Sequence, residues 1–302
     1  MKIKMDNMLC AIDFSELSKK MLKYSIGLAK RFDATLYIFH AVSFPRRYLQ
    51  DTAIMRPNEK DEIGIKKANE KIEHLMKWQS VKWKPIVLQG ETLKGIIKAV
   101  DDHNIDLVIA ASLGLSGFTR MIVGTIVEPL ARTLKRPFWV LPPAKGMERK
   151  ALDNPEAIKK ILVGCSIQPN AASIYQYALL LAKIFNAKLH IVHAVESPLN
   201  ENIVNPTQKP YPETQETLIF RLEERIRELI DQEPINDCEV EISILPGIPG
   251  EVLLSQASKK NADLIVVGVH QQGKIKKALM GSTTETMLRN APCPVLTIPY
   301  NA

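Results

Sequence analysis

The chain has 302 residues, of which 46% are hydrophobic and 24% are charged, and its formal net charge is +7. These proportions are typical of soluble globular protein, and the length is sufficient for two cores of ordinary size. No apolar run approaches about 18 residues, so we expect no transmembrane helix. The first residues also lack the apolar core of a secretory signal.

The first half alternates between short apolar runs and helical patterns. Leu17, Met21, Tyr24, Leu28 and Phe32 recur at spacings of three and four, which form one face of a helix. The strands that we predict are 8–12, 36–42, 83–88, 107–111 and 138–141, and the helices are 17–32, 59–78, 93–103 and 125–134.

A polar, charged and proline-bounded segment at 144–158 indicates a linker between two domains, 1–143 and 159–302. The second half repeats the order of the first, with strands predicted at 160–165, 188–195, 239–245, 264–268 and 295–298. Proline-containing insertions at 44–58 and 197–212 follow the second strand of each half, and we predict lids or mobile loops there.

Continuous apolar strands separated by helices indicate a parallel sheet that is buried on both faces. Right-handed crossovers then wind the five strands of each half into a doubly wound, Rossmann-like α/β sheet. Such sheets bind ligands at the carboxyl ends of the strands, near the point where the strand order reverses. We therefore look for a binding site at that edge of each half.

The two halves are internal repeats. Residues 9–42 align with 162–195 at a constant offset of 153, with 12 of 34 positions identical, including the run His-Ala-Val. A second stretch repeats at an offset of 157, and it pairs Asp106 with Asp263 and Gly124 with Gly281. A period near 150 residues is the length of a domain.

The positive charge lies in the first half, where residues 1–143 hold 23 Lys and Arg against 15 Asp and Glu (+8), whereas the remainder hold 17 against 18 (−1). This excess favours an anionic partner there, and a solvated basic face explains it equally well. The lysines are dispersed, which does not favour nucleic acid. Four scattered cysteines without a Cys-x-x-Cys pair favour the reducing cytoplasm.

Three segments of the first half meet at the predicted binding edge: the turn after strand one, the end of strand two, and the glycine-containing loop after strand four. The residues that we predict to bind a ligand are Ala11, Asp13, Phe14, Ser15, Val42, Ala111, Gly114, Gly117, Gly124 and Thr125.

Glycines in that loop let backbone N–H groups approach an anion, and the helix start near Thr125 adds the positive end of its dipole. Asp13 suits a ribose hydroxyl or an adenine amine, and main-chain groups near Val42 can frame the base. An explanation without a ligand competes with this one. The patterns Thr125-x-x-Glu128 and Ser282-x-x-Glu285 are capping boxes, and turn formation alone can require the glycines.

The strand–Asp-Phe-Ser-Glu–helix start, His-Ala-Val after strand two and a closing G-x-x-G-x9-G-[ST] loop resemble the universal stress protein family. The resemblance covers both halves, so it implies the tandem two-domain form, with the adenine nucleotide alpha hydrolase-like fold. That family has members that bind ATP and members that do not. The resemblance thus implies ATP or another adenine nucleotide in the first half, with Mg²⁺ as a candidate companion.

In the first half, the family's loop pattern matches at Gly114, at Gly124 and at Thr125, and Gly117 matches a further common glycine. Asp13 occupies the family's nucleotide-contacting acidic position. The pattern usually begins with a glycine where this chain has Ala111, so one added methyl group is either tolerated or crowds a phosphate.

The second half departs further from that pattern. It keeps Gly268 and Gly281, but Gln271 replaces the next glycine, Lys274 stands where Gly117 does, and Ser166 replaces the carboxylate of Asp13. We expect that this half does not bind ATP in the family manner. The lysines at 274, 276 and 277 form either a site for another anion or a solvated loop.

His190 and His193 lie three apart on a strand, so they point to opposite faces and cannot chelate one metal together. His40 and His193 are equivalent, and packing or hydrogen bonding is favoured for both over ligand contact. Neither a nucleophile elbow nor a Walker A motif is present, and Asp13 is the only acid that we place in the cleft. We therefore expect slow ATP hydrolysis at most.

Three functions remain open, in this order: a stress-response regulator that binds an adenine nucleotide, a scaffold of the same fold without nucleotide, and an enzyme acting on adenylates. We predict that 138–141 and 295–298 are the last strands of their sheets. Their apolar outer edges must then be covered or paired with another strand. The resemblance implies that they meet and form a pseudo-symmetric pair within the chain, and a homodimer is the further expectation.

Overall fold

The computed structural model describes residues 3–42, 57–112, 126–142, 154–168, 171–195, 215–230, 238–271 and 282–301. The chain divides into two compact units, Met1–Lys145 with Asp153–Glu156, and Gly146–Leu152 with Ala157–Ala302. The predicted loops at 44–58 and 197–212 lie almost wholly outside the described residues. Within the described ranges, no helix has the length and apolar character needed to cross a membrane.

The first unit is a parallel five-stranded sheet with the strand order β3-β2-β1-β4-β5. Its strands are β1 (Asn7–Ala11), β2 (Thr35–Val42), β3 (Trp83–Gln89), β4 (Leu107–Ala111) and β5 (Phe138–Leu141). Its helices are α1 (Glu16–Phe32), α2 (Pro57–Met76), α3 (Thr92–Asp102) and α4 (Val127–Thr133). The strand order reverses beside β1, so the predicted doubly wound fold is confirmed for this unit.

The second unit has the same topology, with the strand order β8-β7-β6-β9-β10. Its strands are β6 (Lys160–Gly164), β7 (Lys188–Val195), β8 (Val240–Pro246), β9 (Leu264–Gln271) and β10 (Val295–Asn301). Its helices are a 3₁₀ turn (Pro155–Ala157, partly in the first unit), α5 (Ala172–Phe185), α6 (Gln215–Ile230), α7 (Pro249–Lys259) and α8 (Ser282–Asn290).

Each core forms where apolar strands meet the apolar face of a helix. Met8 and Leu9 of β1 are fully buried, and so are Leu28 and Tyr24 of α1, which belong to the predicted helical face. The helix ends at Asp33, whose left-handed backbone lets its N–H return to the last turn. The hydrophobic pattern therefore predicts which sides of these elements pack together.

Residues shared by the two halves make the same structural contacts in each unit. The Asp106 carboxylate accepts hydrogen bonds at 3.0 Å from the backbone N–H groups of Asp6 and Asn7, where β1 begins. The Asp263 carboxylate accepts equivalent bonds at 2.9 and 3.0 Å where β6 begins. The repeated aspartates thus hold the start of the first strand of each unit.

The start of α4 differs from the prediction. The helix begins at Val127, its N-cap position is held by Ile126, and no side chain makes the capping bond. Glu128 instead pairs with Arg132 one turn along the helix. Thr125, which the predicted capping box requires, lies outside the described residues.

Candidate functional site

The turn from β1 to α1 places three predicted site residues at the carboxyl edge of the first sheet. Asp13 Oδ1 accepts a hydrogen bond from the Ser15 N–H at 2.9 Å, so the carboxylate closes a short turn. Ser15 is the N-cap of α1, and its hydroxyl accepts from the Ser18 N–H at 3.2 Å. Between them, Phe14 has a left-handed backbone with φ of 62°. The turn is therefore tightly specified by its own side chains.

The carboxyl group of Asp13 is half-buried, and two opposing effects set its pKa. Burial acts to raise the pKa, whereas hydrogen bonds with Ser15 and Ser18 act to lower it, and the net result is a pKa below the ordinary value. Asp13 is therefore ionised at neutral pH. A partly exposed, ionised carboxylate at a sheet edge is a strong acceptor for hydroxyl or amine groups.

A cluster of two aromatic rings and one ammonium group adjoins this turn, and it consists of Phe14, His40 and Lys71. The ring centroids of Phe14 and His40 are 4.5 Å apart, and the ammonium of Lys71, from α2, lies 5.2 Å from the centroid of Phe14. His40 Nδ1 lies 2.9 Å from the carbonyl oxygen of Ile12, and because a carbonyl only accepts, Nδ1 carries the proton. His40 therefore has a hydrogen-bonding role, as expected, and it also supports the Phe14 ring.

The other predicted site residues fall into two groups. Ala11 ends β1, Val42 ends β2 and Ala111 ends β4, so all three lie at the carboxyl edge of the sheet. The Val42 carbonyl accepts a hydrogen bond from the Gly90 N–H at 3.2 Å. Gly114, Gly117, Gly124 and Thr125 lie outside the described residues, so the phosphate loop stays a prediction.

The family model described as the universal stress protein family matches residues 4–142 and, a second time, residues 157–299. Both matches span the sheet, the turn and the strand ends just described. The chain belongs to the universal stress protein family. The tandem two-domain form expected from the sequence is therefore confirmed.

Single-domain relatives match about half of this universal stress protein. One from Thermus aquaticus is 30% identical over 141 residues, covering 46% of this chain and 98% of the relative. One from Methanocaldococcus jannaschii is 26% identical over 141 residues, covering 46% and 81%. A crystal structure of a universal stress protein from Archaeoglobus fulgidus covers 98% of both chains with a TM-score of 0.70 and 20% identity. That last likeness shows the fold.

Two site-edge residues of this universal stress protein were not among the predicted site residues. Lys71 lies on α2, and the helical pattern does not show which element its ammonium reaches. Ser112 follows Ala111 directly and is 3% exposed, and its hydroxyl has no hydrogen-bond partner among the described residues. Its place next to a strand end was the available signal, because a polar residue that ends an apolar strand lies at the binding edge.

The second unit keeps the histidine contact at the carboxyl edge of its sheet but lacks the carboxylate. His193 Nδ1 lies 3.3 Å from the Cys165 carbonyl, which repeats the contact of His40 with Ile12 at the offset of 153. Ser166 replaces Asp13, so this copy has no carboxylate at that position. Among the described residues, no group of three His, Cys, Asp or Glu side chains is placed to hold a metal ion.

Gly268 is equivalent to Ala111, where the first domain lacks the glycine that is usual in the family. The packing around Gly268 therefore indicates what the methyl group of Ala111 meets. A β-carbon on Gly268 would lie 2.4 Å from Ile174 Cδ1 and 2.6 Å from Tyr300 Cε1. A methyl group at this position therefore points at the side chains of Ile174 and Tyr300, which pack against β9. The repeat pairs Ile174 with Met21 of α1, so we expect the Ala111 methyl to face Met21.

Proposed function

We propose that this universal stress protein is a stress-response regulator that binds an adenine nucleotide, ATP or AMP, mainly in its N-terminal domain. The observation that carries the proposal is the Asp13 carboxylate, which is ionised, half-buried and positioned at the carboxyl edge of the sheet. The family resemblance supplies the ligand class, since Asp13 stands at the family's nucleotide-contacting acidic position. The excess of positive charge in the same half supports an anionic ligand.

The cluster beside Asp13 supports a site for a flat, anionic molecule. Phe14 and His40 offer aromatic surface, and Lys71 brings an exposed positive charge to the same face. Mg²⁺ is the candidate companion ion, because it accompanies nucleotide phosphates and takes oxygen ligands. Asp13 is the carboxylate available for it among the predicted site residues.

A scaffold without nucleotide is the second candidate, and one observation favours it. Asp13 and Ser15 both serve the turn that starts α1, through the bonds to Ser15 N–H and Ser18 N–H. A purely structural role explains both side chains, since caps of this kind stabilise helices by about 1 kcal/mol. The two candidates differ in whether the charge of Asp13 binds a ligand in addition to stabilising the turn.

Isothermal titration of ATP into the full chain separates them. A charge-assisted hydrogen bond to a ligand contributes about 1.5–3 kcal/mol, so Asp13→Ala should weaken ATP binding by about 10- to 100-fold. Asp13→Asn keeps an acceptor for the Ser15 N–H and removes only the charge, so it should weaken binding while the fold is retained. Gly114→Gln installs the residue type that the second domain has at 271, and it should also weaken binding.

Ser166→Ala is the matched control, because Ser166 occupies the equivalent position in the second domain. It should leave ATP affinity unchanged. Absence of binding at millimolar ATP, or equal effects of Asp13→Ala and Ser166→Ala, would establish the scaffold instead. Circular dichroism of each variant checks that the fold is intact.

We further propose that the two domains associate through β5 and β10, that two chains form a homodimer, and that the protein is cytoplasmic. The four cysteines include no Cys-x-x-Cys pair, and Cys10 and Cys165 are free thiols, which supports a reducing compartment. Sedimentation at several protein concentrations tests the homodimer. A monomer at every concentration would contradict it.

A further inference from the structure

A run of lysines and tryptophans joins the end of α2 to the start of β3. Residues 77–84 read Lys-Trp-Gln-Ser-Val-Lys-Trp-Lys, which includes two of the three tryptophans of the chain and no acidic residue. We call Lys77, Trp78, Lys82, Trp83 and Lys84 the basic–aromatic patch. Because β3 begins here, the patch lies at the amino edge of the first sheet, opposite to the carboxyl edge with Asp13.

Trp78 presents its indole ring to the solvent. Its exposed fraction is 84%, the highest among the large apolar side chains that the structure describes, and Gln79 and Ser80 beside it are also exposed. The ammonium of Lys77 lies 5.1 Å from the centroid of the ring. Tryptophan is ordinarily among the more buried residue types, so packing within the described part of the domain does not explain this one.

The lysines of the patch are available to an anion. Lys84 contacts the Tyr37 ring, with its ammonium 5.8 Å from the centroid, and neither Lys77 nor Lys84 pairs with a carboxylate of the described residues. Lys82 lies 3.5 Å from the carboxylate of Asp33, and the two side chains are 71% and 91% exposed. An ion pair this exposed is weak, so a phosphate can replace Asp33.

Protection of the sheet edge explains only part of the patch. β3 is the outer strand of its sheet, and charged side chains on such a strand oppose pairing with another chain. The equivalent strand β8 begins with Glu-Val-Glu at 239–241, where the first domain has Lys-Trp-Lys at 82–84. Since glutamate also protects an edge, protection requires neither the positive sign of the charge nor the indole rings.

The chemistry of the patch matches that of a single-stranded nucleic acid. Lysines neutralise backbone phosphates, and exposed aromatic rings stack on unpaired bases of any sequence. An anionic membrane surface also attracts lysine and tryptophan. A membrane anchor, however, needs a continuous apolar face, whereas Trp78 is flanked by Lys77 and by the exposed polar residues Gln79 and Ser80. The polar flanks therefore favour nucleic acid over a membrane.

We propose that the basic–aromatic patch binds single-stranded nucleic acid, with Trp78 stacking on a base and the three lysines contacting phosphates. The lysines of the chain as a whole are dispersed, which does not favour nucleic acid, but at this turn three of them lie beside two indole rings. The inference does not rest on nucleotide binding at Asp13, because every group that it uses lies at the opposite edge of the sheet.

Fluorescence anisotropy of a labelled oligothymidylate, titrated with the full chain at low salt, tests the proposal. A length of about 15 nucleotides is within the range of single-strand binding sites. The oligonucleotide should bind, and the slope of log K against log salt should be roughly −2, because each of the three phosphate contacts contributes about −0.7. Trp78→Ala should weaken binding by about 5- to 100-fold through the lost stacking.

Charge reversal inside and outside the patch provides the matched control. Lys82→Glu with Lys84→Glu installs the residue type that β8 has at those positions, and it should weaken binding by at least about tenfold. Lys94→Glu with Lys98→Glu changes the net charge equally at two exposed lysines of α3, outside the patch. Because salt screens distant charges, this control should weaken binding by about threefold at most. Circular dichroism checks the fold of each variant.

Four results would each overturn the proposal. They are no binding of the oligonucleotide at low salt, equal losses from the two charge reversals, binding that Trp78→Ala leaves unchanged and polyglutamate matches, and binding of phosphatidylserine vesicles without binding of the oligonucleotide. The last result would assign the patch to a membrane instead. Asp13→Ala should weaken ATP binding and leave oligonucleotide binding unchanged, so failure of either proposal is distinguishable from failure of the other.

Discussion

Replacing Gly268 with alanine adds one methyl group inside β9, where the second domain has no room for it. The new β-carbon would lie 2.4 Å from Ile174 Cδ1 and 2.6 Å from Tyr300 Cε1, whereas ordinary contacts are 3.4–4 Å. Both neighbours must therefore move by roughly 1 Å, and Ile174 is fully buried.

The expected cost follows from two opposing effects. Overpacking of a buried site costs about 1–3 kcal/mol. Alanine in place of glycine also restricts the unfolded chain, which stabilises the protein by about 0.4–1 kcal/mol. We therefore expect Gly268→Ala to lower the free energy of unfolding by about 1.5 kcal/mol. In a domain of this length, that corresponds to a fall in Tm of about 3–6 °C.

Urea unfolding monitored by circular dichroism measures the change. All three tryptophans of the chain lie in the first unit, so tryptophan fluorescence follows that unit, whereas circular dichroism follows both. Ile174→Val removes the Cδ1 atom of the shortest contact, so Gly268→Ala should cost less in that background.

Gly90→Ala is the control, because Gly90 has φ of +121° and a β-carbon there would meet nothing within 4 Å, so its cost is backbone strain alone. The cost at Gly90 should not depend on Ile174. A Gly268→Ala variant as stable as wild type, or a cost that Ile174→Val leaves unchanged, would refute the steric explanation.

Three further predictions follow from individual side chains. Burial acts to raise the pKa of Asp13, but hydrogen bonds with neighbouring serines hold it below 3.8. The ionised carboxylate therefore stabilises the folded protein above that pH, and this contribution is lost as the pH falls below it. Without the carboxylate, the Asp13→Asn variant should lose less unfolding free energy than wild type between about pH 5 and 3. Burial raises the pKa of Cys10 and Cys165 to about 12, so neither thiol should react with iodoacetamide in the folded protein, as read by peptide mass spectrometry, and both should react in urea. Asp106→Ala and Asp263→Ala should each lower the unfolding free energy by about 1–2 kcal/mol, since each removes an acceptor of two backbone N–H groups; a loss from one variant only would contradict their equivalence.

Strands such as β4 and β5 were predictable because each is a continuous apolar run, whereas the edge strands β3 and β8 also contain charged residues. Residues 107–111, 138–141 and 188–195 were predicted with the bounds that the structure has. Burial of both faces of a parallel sheet leaves few alternatives for such runs. Helix ends were less predictable, and α4 begins two residues after the predicted position because Ile126 holds its N-cap position.

The candidate site was predictable only in its outline. The turn after β1 and the end of β2 could be placed at one edge, because parallel strands align their carboxyl ends. The left-handed backbone of Phe14 could not, since phenylalanine rarely adopts it and no glycine marks the position. The approach of Lys71 to Phe14 also depends on how α2 lies against the sheet, which the helical period does not determine.

The backbone of Phe14 has a consequence for how far the first domain can be stabilised. A left-handed conformation costs a residue with a β-carbon about 1–2 kcal/mol, yet at the equivalent position of the second domain Ile167 does not adopt it. The two copies of the turn therefore differ in backbone conformation at this position. Phe14→Gly would release that strain, but it would also remove the ring that contacts His40 and Lys71 in the proposed site. In the first domain the strain of this turn and the aromatic surface of the proposed site therefore depend on the same residue, whereas Ile167 carries no such strain.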